Sequence, residues 1–193
     1  MKKHRVKNQV TEILSKNWYT LRKITFDYLK KDGTWQTQTR EAYDRGNGAA
    51  ILLYNKENKT VVLTRQFRMP TYINGNETGM MIEVCAGLLD EHEPEDCIRR
   101  ETEEETGYKI KDVHKVFEAY MSPGSVTEIL YFFAAEYSKE MKMTDGGGLE
   151  HEEEDIDVLE LPFDQAFSMI GTGDIKDAKT IMLLQYAHIN NLL

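Results

Sequence analysis

Apolar and polar residues alternate in the first part of the chain and predict a β-hairpin. Ile24, Phe26 and Tyr28 recur at every second position, Lys31-Asp32-Gly33 offers a turn, and residues 35–43 continue in an extended pattern. Short apolar runs separated by polar turns predict further strands over residues 49–54, 61–64, 80–85, 110–120, 128–137 and 156–161.

Three later segments have helical patterns. In residues 94–106, Pro94 suits the first turn and Gly107 suits the position after the last residue. Residues 162–170 and 178–193 are also predicted to be helices. Between the last two strands, residues 139–154 are polar and glycine-rich, which indicates a mobile loop. Strands dominate early and helices late, so the pattern predicts an α+β fold with helices packed on a mixed sheet.

Length and charge exclude several classes of protein. A chain of 193 residues has the length of one large domain, and 24 Lys and Arg against 33 Asp and Glu give a net charge of −9. This charge disfavours general binding to nucleic acid, because phosphates would be repelled. Two cysteines are too few for a disulfide framework, and we expect no signal peptide and no membrane span. We therefore expect a cytoplasmic protein.

An acidic helix face is the most unusual feature of the sequence. Residues 90–105 contain nine acidic residues and two arginines. At about 100° per residue, Glu101, Glu104 and Glu105 share one face of the predicted helix, where like charges destabilise it. A divalent cation would reverse that effect, and oxygen ligands favour Mg²⁺ or Mn²⁺. A solvated acidic face is the alternative.

Gly87, Glu93 and residues 100–108 resemble the Nudix box. That motif has Gly, five residues, Glu, seven residues, and then Arg-Glu-U-x-Glu-Glu-x-Gly-U, where U is bulky and apolar. Here six residues separate Glu93 from Arg100, and Thr102 occupies a U position. The Arg-Glu-x-x-Glu-Glu-x-Gly core is intact, so the sequence is identified as similar to the Nudix hydrolase family.

The resemblance extends to the branch of this family that cleaves nucleoside diphosphate sugars. Pro123 lies 15 residues after the box, and similar segments occur at 44–48, 65–68, 74–77, 85–90 and 121–124. The branch implies a Nudix-type α/β/α sandwich with a mixed sheet over residues 46–193. It also implies an N-terminal antiparallel β-hairpin region over residues 1–45 that exchanges between the subunits of a homodimer.

The family also implies a metal site and a catalytic set. Mg²⁺, with Mn²⁺ as a substitute, would be bound by the Ala86 carbonyl, Glu101, Glu105 and Glu154. The implied catalytic residues are Glu104, Glu152 and Glu153. Glu152 is the first candidate for the base that deprotonates water, although the register within residues 152–154 stays open by one or two positions.

Substrate contacts are implied for a larger set: Trp18, Thr39, Arg40, Glu41, Arg68, Ala86, Gly87, Leu88, Glu105, Glu128, Glu153 and Lys179. Trp18 corresponds to an aromatic that stacks on the base bound by the neighbouring subunit, and core packing is the alternative. Arg40 and Arg68 would bind phosphate or sugar, with a surface salt bridge as the alternative.

The reaction that this resemblance implies is hydrolysis of the pyrophosphate bond of GDP-mannose, with loop 139–154 closing over the substrate. Three alternatives remain: hydrolysis of ADP-ribose, a non-catalytic nucleotide-sugar sensor of Nudix type, and an acidic protein-interaction module.

Overall fold

The computed structural model describes residues 4–89, 92–149 and 153–193. The chain divides into two compact units. The first contains Met1–Asn47 and Tyr120–Ile129, and the second contains Gly48–Ala119 and Leu130–Leu193. Each unit is described by itself below.

The first unit is built on a three-stranded antiparallel sheet with the order β1-β2-β3. Its strands are β1 (Val6–Lys16), β2 (Thr20–Leu29) and β3 (Trp35–Asp44). The predicted hairpin corresponds to β2 and β3 and is confirmed. Strand β1 was not predicted, because two register shifts in its pairing with β2 break the alternation of its apolar residues.

The second unit contains a mixed seven-stranded sheet. Its strands are β4 (Gly48–Asn55), β5 (Thr60–Phe67), β6 (Met80–Glu83), β7 (Cys85–Leu88), β8 (His114–Tyr120), β9 (Ile129–Glu136) and β10 (Asp157–Pro162). The main order is β10-β5-β4-β9-β8, with β6 paired to β5 and β7 paired to β4. Strand β4 is parallel to β9 and antiparallel to β5 and β7. This arrangement brings the short strand β7 beside the centre of the sheet.

The helices of the second unit are α1 (Met69–Ile73), α2 (Pro94–Thr106), α3 (Phe163–Thr172) and α4 (Ala178–Ile189), with a 3-10 turn at Lys139–Met141. Helix α2 begins with proline in its first turn and ends at Gly107, whose φ of 77° is left-handed. Helix α4 is capped by Asp177, which accepts a hydrogen bond from the Thr180 amide. The short helix α1 was not predicted, because its five residues are too few to show a period.

Both faces of β4 are buried, which explains the layered architecture. Ala49, Ile51 and Leu53 pack in one apolar cluster with Ile98 of α2. The alternate residues Ala50 and Leu52 are also fully buried, and side chains alternate across a strand, so they face the opposite side. Helices α2 and α4 both pack on β4. The predicted fold class, an α/β/α sandwich with a mixed sheet and an antiparallel N-terminal region, is confirmed.

Residues 80–85 form two strands where the sequence predicted one. Strand β6 pairs with β5, whereas β7 pairs with β4. At the junction the Val84 amide donates to the Thr180 hydroxyl at 2.8 Å and not to a neighbouring strand. A helix side chain 96 positions away thus replaces a strand partner, which local sequence cannot reveal. No helix in the described parts of the chain is long and apolar enough to span a membrane.

Candidate active site

The acidic face of α2 lies against the backbone of β7. The Ala86 amide donates to Glu105 Oε2 at 3.3 Å. A Cβ atom added to Gly87 would lie 2.1 Å from the Glu101 carboxyl carbon, so only glycine allows this approach. The structure therefore brings four predicted residues together at one point, namely Ala86, Gly87, Glu101 and Glu105.

Glu105 is a buried carboxyl group with like charges close by. Only 2% of its surface is exposed. Burial raises the pKa of Glu105 to about 8, a hydrogen bond from Cys85 opposes that rise, and the charges of Glu101 and Glu154 add to it. A divalent cation would remove both the repulsion and part of the desolvation cost. The predicted donors, Glu101, Glu105, Glu154 and the Ala86 carbonyl, are all oxygen, which is the ligand type that Mg²⁺ and Mn²⁺ prefer.

Arg100 organises the neighbouring carboxylates. It donates to Glu101 Oε1 at 2.8 Å and to Glu104 Oε2 at 3.2 Å. Across residues 4–89, 92–149 and 153–193, no three His, Cys, Asp or Glu side chains are grouped closely enough to hold a metal ion by themselves. Because Glu101 Oε1 accepts from Arg100, a cation at this site would compete with Arg100 for that oxygen. Glu104 is half-buried and is next in sequence to the predicted ligand Glu105.

The glycine-rich segment caps the C-terminal end of α2. The Gly147 and Gly148 amides donate to the carbonyls of Glu105 and Glu104, at 2.9 and 3.2 Å. Gly146, Gly147 and Gly148 all have positive φ, which permits this close path. The Gly147 and Gly148 amides satisfy helix carbonyls that would otherwise lack partners, so part of the predicted loop packs on the end of α2. The mobility of residues 139–154 stays a prediction.

The same segment holds Glu154 near the acidic face. Glu154 Oε2 accepts a hydrogen bond from the Leu149 amide at 3.0 Å, and its charge acts on Glu105. Glu153 is exposed and has a left-handed φ of 58°. Glu152, the first candidate for the base, lies outside the described residues.

Two cations beside this site have a shared anionic partner that the sequence analysis missed. Arg68 and Lys179 both donate to Glu83, and Lys179 also donates to Asp177. Arg68 is close enough to Glu105 for each to shift the pKa of the other. The available signal was an acidic residue, Glu83, inside the predicted apolar strand 80–85. Leu88, the last residue of β7, is half-buried, and its carbonyl accepts from Cys97 Sγ at 3.0 Å.

Thr102 can occupy the apolar position of the motif because its hydroxyl is hydrogen-bonded within the helix. It is fully buried and donates to the Ile98 carbonyl one turn earlier at 2.6 Å. The Thr106 hydroxyl bonds the Thr102 carbonyl in the same way. The departure from the family motif therefore leaves no unsatisfied hydroxyl in the core.

The remaining predicted substrate contacts belong to the first unit. Thr39, Arg40 and Glu41 lie on β3 with exposed side chains, and Arg40 donates to the Thr39 carbonyl at 2.7 Å. Glu128 lies 3.6 Å from Arg45. Trp18 is 81% exposed, so the alternative that it packs in the core is wrong.

Comparisons with known proteins identify the family of the chain. Residues 5–43 match the family model for the GDP-mannose pyrophosphatase NudK N-terminal domain, and residues 44–184 match the model for the NUDIX domain. A GDP-mannose pyrophosphatase of Yersinia enterocolitica is 61% identical, with 98% of each chain covered. One from Yersinia pestis is 60% identical over 96% of this chain and 93% of its own. One from Escherichia coli O1:K1 / APEC is 58% identical over 94% of both. The resemblance predicted from the sequence is confirmed, and the chain belongs to the Nudix hydrolase family of enzymes, whose members generally use divalent metal ions.

Proposed function

We propose that this enzyme hydrolyses the pyrophosphate bond of GDP-mannose. One water molecule is consumed, and the products are GMP and mannose 1-phosphate. The observation that carries the reaction type is the close approach of Glu101 and Glu105 to the backbone of Gly87 and Ala86, with the charge of Glu154 acting on Glu105. The substrate is supported by the printed names of relatives that match the chain over nearly its whole length.

We further propose Mg²⁺ as the metal, with Mn²⁺ as a substitute. Glu101, Glu105, Glu154 and the Ala86 carbonyl would hold it. When bound, such an ion neutralises phosphate charge and lowers the pKa of water. Arg100 supports the site by keeping the Glu101 and Glu104 carboxylates oriented before the ion arrives.

The chain's other residues bind the substrate and move the proton. Arg68 and Lys179 contact phosphate oxygens, for which guanidinium and ammonium groups are suited. The backbone of Gly87 and Leu88 borders the same site. A carboxylate at Glu152 or Glu153 accepts the proton of the attacking water, and the exposure of Glu153 is compatible with that task. Glu104 helps to position the water.

The first unit supports a homodimer in this proposal. Strand β1 is exposed along its length, and its apolar residues Val10 and Ile13 are 66% and 59% exposed. A second copy of the chain would cover them. Trp18, Thr39, Arg40, Glu41 and Glu128 would then contact substrate in one or the other subunit. We expect this enzyme to work in the cytoplasm.

Steady-state kinetics on GDP-mannose, ADP-ribose and UDP-glucose, each with Mg²⁺ and with EDTA, test the proposal. We expect Mg²⁺-dependent turnover with the highest kcat/KM on GDP-mannose. A higher kcat/KM on ADP-ribose would identify ADP-ribose as the preferred substrate and would leave the proposed reaction type unchanged. No turnover on any of the three, with retained binding, would favour a sensor and contradict the proposal.

A further inference from the structure

We propose that Glu83 and Asp177 are positioning residues that aim Arg68 and Lys179 at the diphosphate of the substrate. These four residues are called the Glu83 cluster below. The inference rests on the proposed function, since it takes Arg68 and Lys179 as phosphate contacts. It adds two carboxylates that contact neither metal nor substrate in that proposal.

Glu83 contacts both cations of the Glu83 cluster. Its side chain is only 4% exposed. Arg68 Nε donates to one carboxylate oxygen at 2.9 Å, and Arg68 Nη2 donates to the other at 3.0 Å. Lys179 Nζ donates to the second oxygen as well. A buried carboxylate with two cationic partners stays ionised, and the two cations hold the pKa of Glu83 down, at about 2, despite its burial.

The pairing leaves a defined edge of Arg68 available for a ligand. The guanidinium uses its Nε and Nη2 side for Glu83, and its side chain is 40% exposed. Among the described residues, Arg68 Nη1 donates no hydrogen bond to the protein. A guanidinium is planar and rigid, so fixing one edge fixes the direction of the other. Glu83 therefore determines where the free donors of Arg68 lie.

Asp177 fixes Lys179 from the other side. Its Oδ1 accepts from Lys179 Nζ at 3.0 Å, while its Oδ2 accepts from the Thr180 amide and hydroxyl at 2.9 and 2.6 Å. The Thr180 hydroxyl in turn accepts from the amide of Val84, the residue after Glu83. One chain of hydrogen bonds thus joins the start of α4 to the junction of β6 with β7. It fixes the Glu83 and Asp177 carboxylates relative to each other.

The Glu83 cluster also keeps Arg68 away from the carboxylates proposed to bind the metal. Glu105 is near enough to Arg68 for their charges to interact. Besides Glu83, the carboxylates whose charges act on Arg68 are Glu105 of the acidic face and Asp177, and Asp177 is already held by Lys179 and Thr180. A salt bridge to Glu105 would occupy oxygens that a divalent cation needs. Glu83 therefore has two effects, since it orients Arg68 toward substrate and leaves Glu105 free.

The test replaces Glu83 by glutamine, which keeps the shape and removes the charge. We expect Glu83→Gln to raise KM for GDP-mannose on the order of tenfold to a hundredfold, as misplaced binding groups do. We also expect weaker Mn²⁺ binding in a substrate-free titration followed by electron paramagnetic resonance. The control is Asp157→Asn, because Asp157 accepts from Arg65 Nε and Nη2 in a similar pair that is exposed on the same sheet. The control should change neither value.

A double-mutant cycle separates this inference from the proposed function. Glu83 holds Lys179 as well as Arg68, so the fold-increase in KM caused by Glu83→Gln should be smaller in the Arg68→Ala background than in the unmodified protein, but not absent. An unchanged KM in Arg68→Ala would contradict the proposed substrate contact itself. A raised KM in Arg68→Ala with unchanged KM and Mn²⁺ affinity in Glu83→Gln would overturn the positioning role alone.

Asp177→Asn covers the case in which Glu83→Gln does not fold. Asparagine keeps an oxygen for the helix cap and removes the charge that holds Lys179. We expect KM to rise several-fold while the thermal midpoint stays close to that of the unmodified protein. A lowered midpoint with unchanged KM would show a purely structural role and would overturn the inference.

Discussion

At the scale of single residues, Glu105 determines how the site responds to metal and to pH. It is almost fully buried, and its pKa of about 8 lies well above the ordinary value of 4.5. Between these values the folded protein holds a proton there that the unfolded chain releases. The metal-free folded state is therefore stabilised at low pH and loses that stability as the pH rises toward 8.

This linkage gives a first prediction for Glu105→Gln. In EDTA, the free energy of unfolding of the unmodified protein should fall by on the order of a few kcal/mol between about pH 5 and 8. The variant cannot ionise at this position, so its curve should be flatter. Urea unfolding at several pH values measures both. Parallel curves would show that Glu105 is not the group responsible.

A second prediction concerns Gly87. An alanine Cβ would lie 2.1 Å from the Glu101 carboxyl carbon, so Gly87→Ala should displace that carboxylate and lower kcat/KM by about a hundredfold or more. Gly171→Ala is the control, because nothing lies within 4 Å of its Cβ position. Retained kcat/KM in Gly87→Ala would mean that the position of Glu101 is unimportant.

Sequence spacing could predict only part of this site. Glu101 and Glu105 are four positions apart, so a helix alone places them on one face. The role of Glu83 depends on Lys179, which is 96 positions away. Only the packing of α4 against the β6–β7 junction brings them together. No local pattern contains that information, and the sequence analysis missed Glu83 for this reason.

At the scale of elements, the C-terminal end of α2 is completed by residues far along the chain. Gly146, Gly147 and Gly148 all have positive φ, and the amides of Gly147 and Gly148 donate to the carbonyls of Glu105 and Glu104. The composition of this segment correctly indicates unusual backbone conformations. It does not indicate whether these conformations give a free loop or a helix cap, because that depends on whether unpartnered carbonyls lie nearby.

A third prediction compares two left-handed glycines. Gly146→Ala would bring a Cβ within 2.5 Å of the Glu105 carbonyl oxygen, whereas Gly33, also with positive φ, has nothing within 4 Å. Both alanine variants should lose about 1–2 kcal/mol of stability from backbone strain. Only Gly146→Ala should also lose turnover, because it disturbs the end of α2. Chemical unfolding and steady-state kinetics measure the two effects, and equal kcat/KM would contradict the capping role.

The strand boundaries also show that local signals could be predicted and that contacts with distant residues could not. Residues 24–43 were predicted well because alternation and a turn are local signals. Strand β1 escaped prediction because its pairing with β2 is interrupted twice and its apolar side chains stay exposed within the unit. Residues 80–85 looked like one strand because the break at Val84 is made by Thr180 of a distant helix.

At the scale of the whole molecule, the exposed strand β1 leads to a fourth prediction. Val10→Lys/Ile13→Lys should convert the proposed homodimer to a monomer, because two charges would be placed on an apolar surface. Ile189→Lys is the control, since Ile189 is 74% exposed at the end of α4 and should leave the dimer intact. Light scattering after size-exclusion chromatography gives the masses. A monomeric mass for the unmodified chain would contradict the dimer.

The most direct test of the central claim is phosphorus NMR of GDP-mannose incubated with the enzyme while Mg²⁺ is added to a metal-free sample. Two phosphomonoester signals, from GMP and mannose 1-phosphate, should grow only once Mg²⁺ is present. Replacing Glu105 by glutamine should reduce their rate by orders of magnitude while the protein stays folded. Equal rates in EDTA, or an undiminished rate in Glu105→Gln, would contradict the claim that these carboxylates hold a catalytic cation.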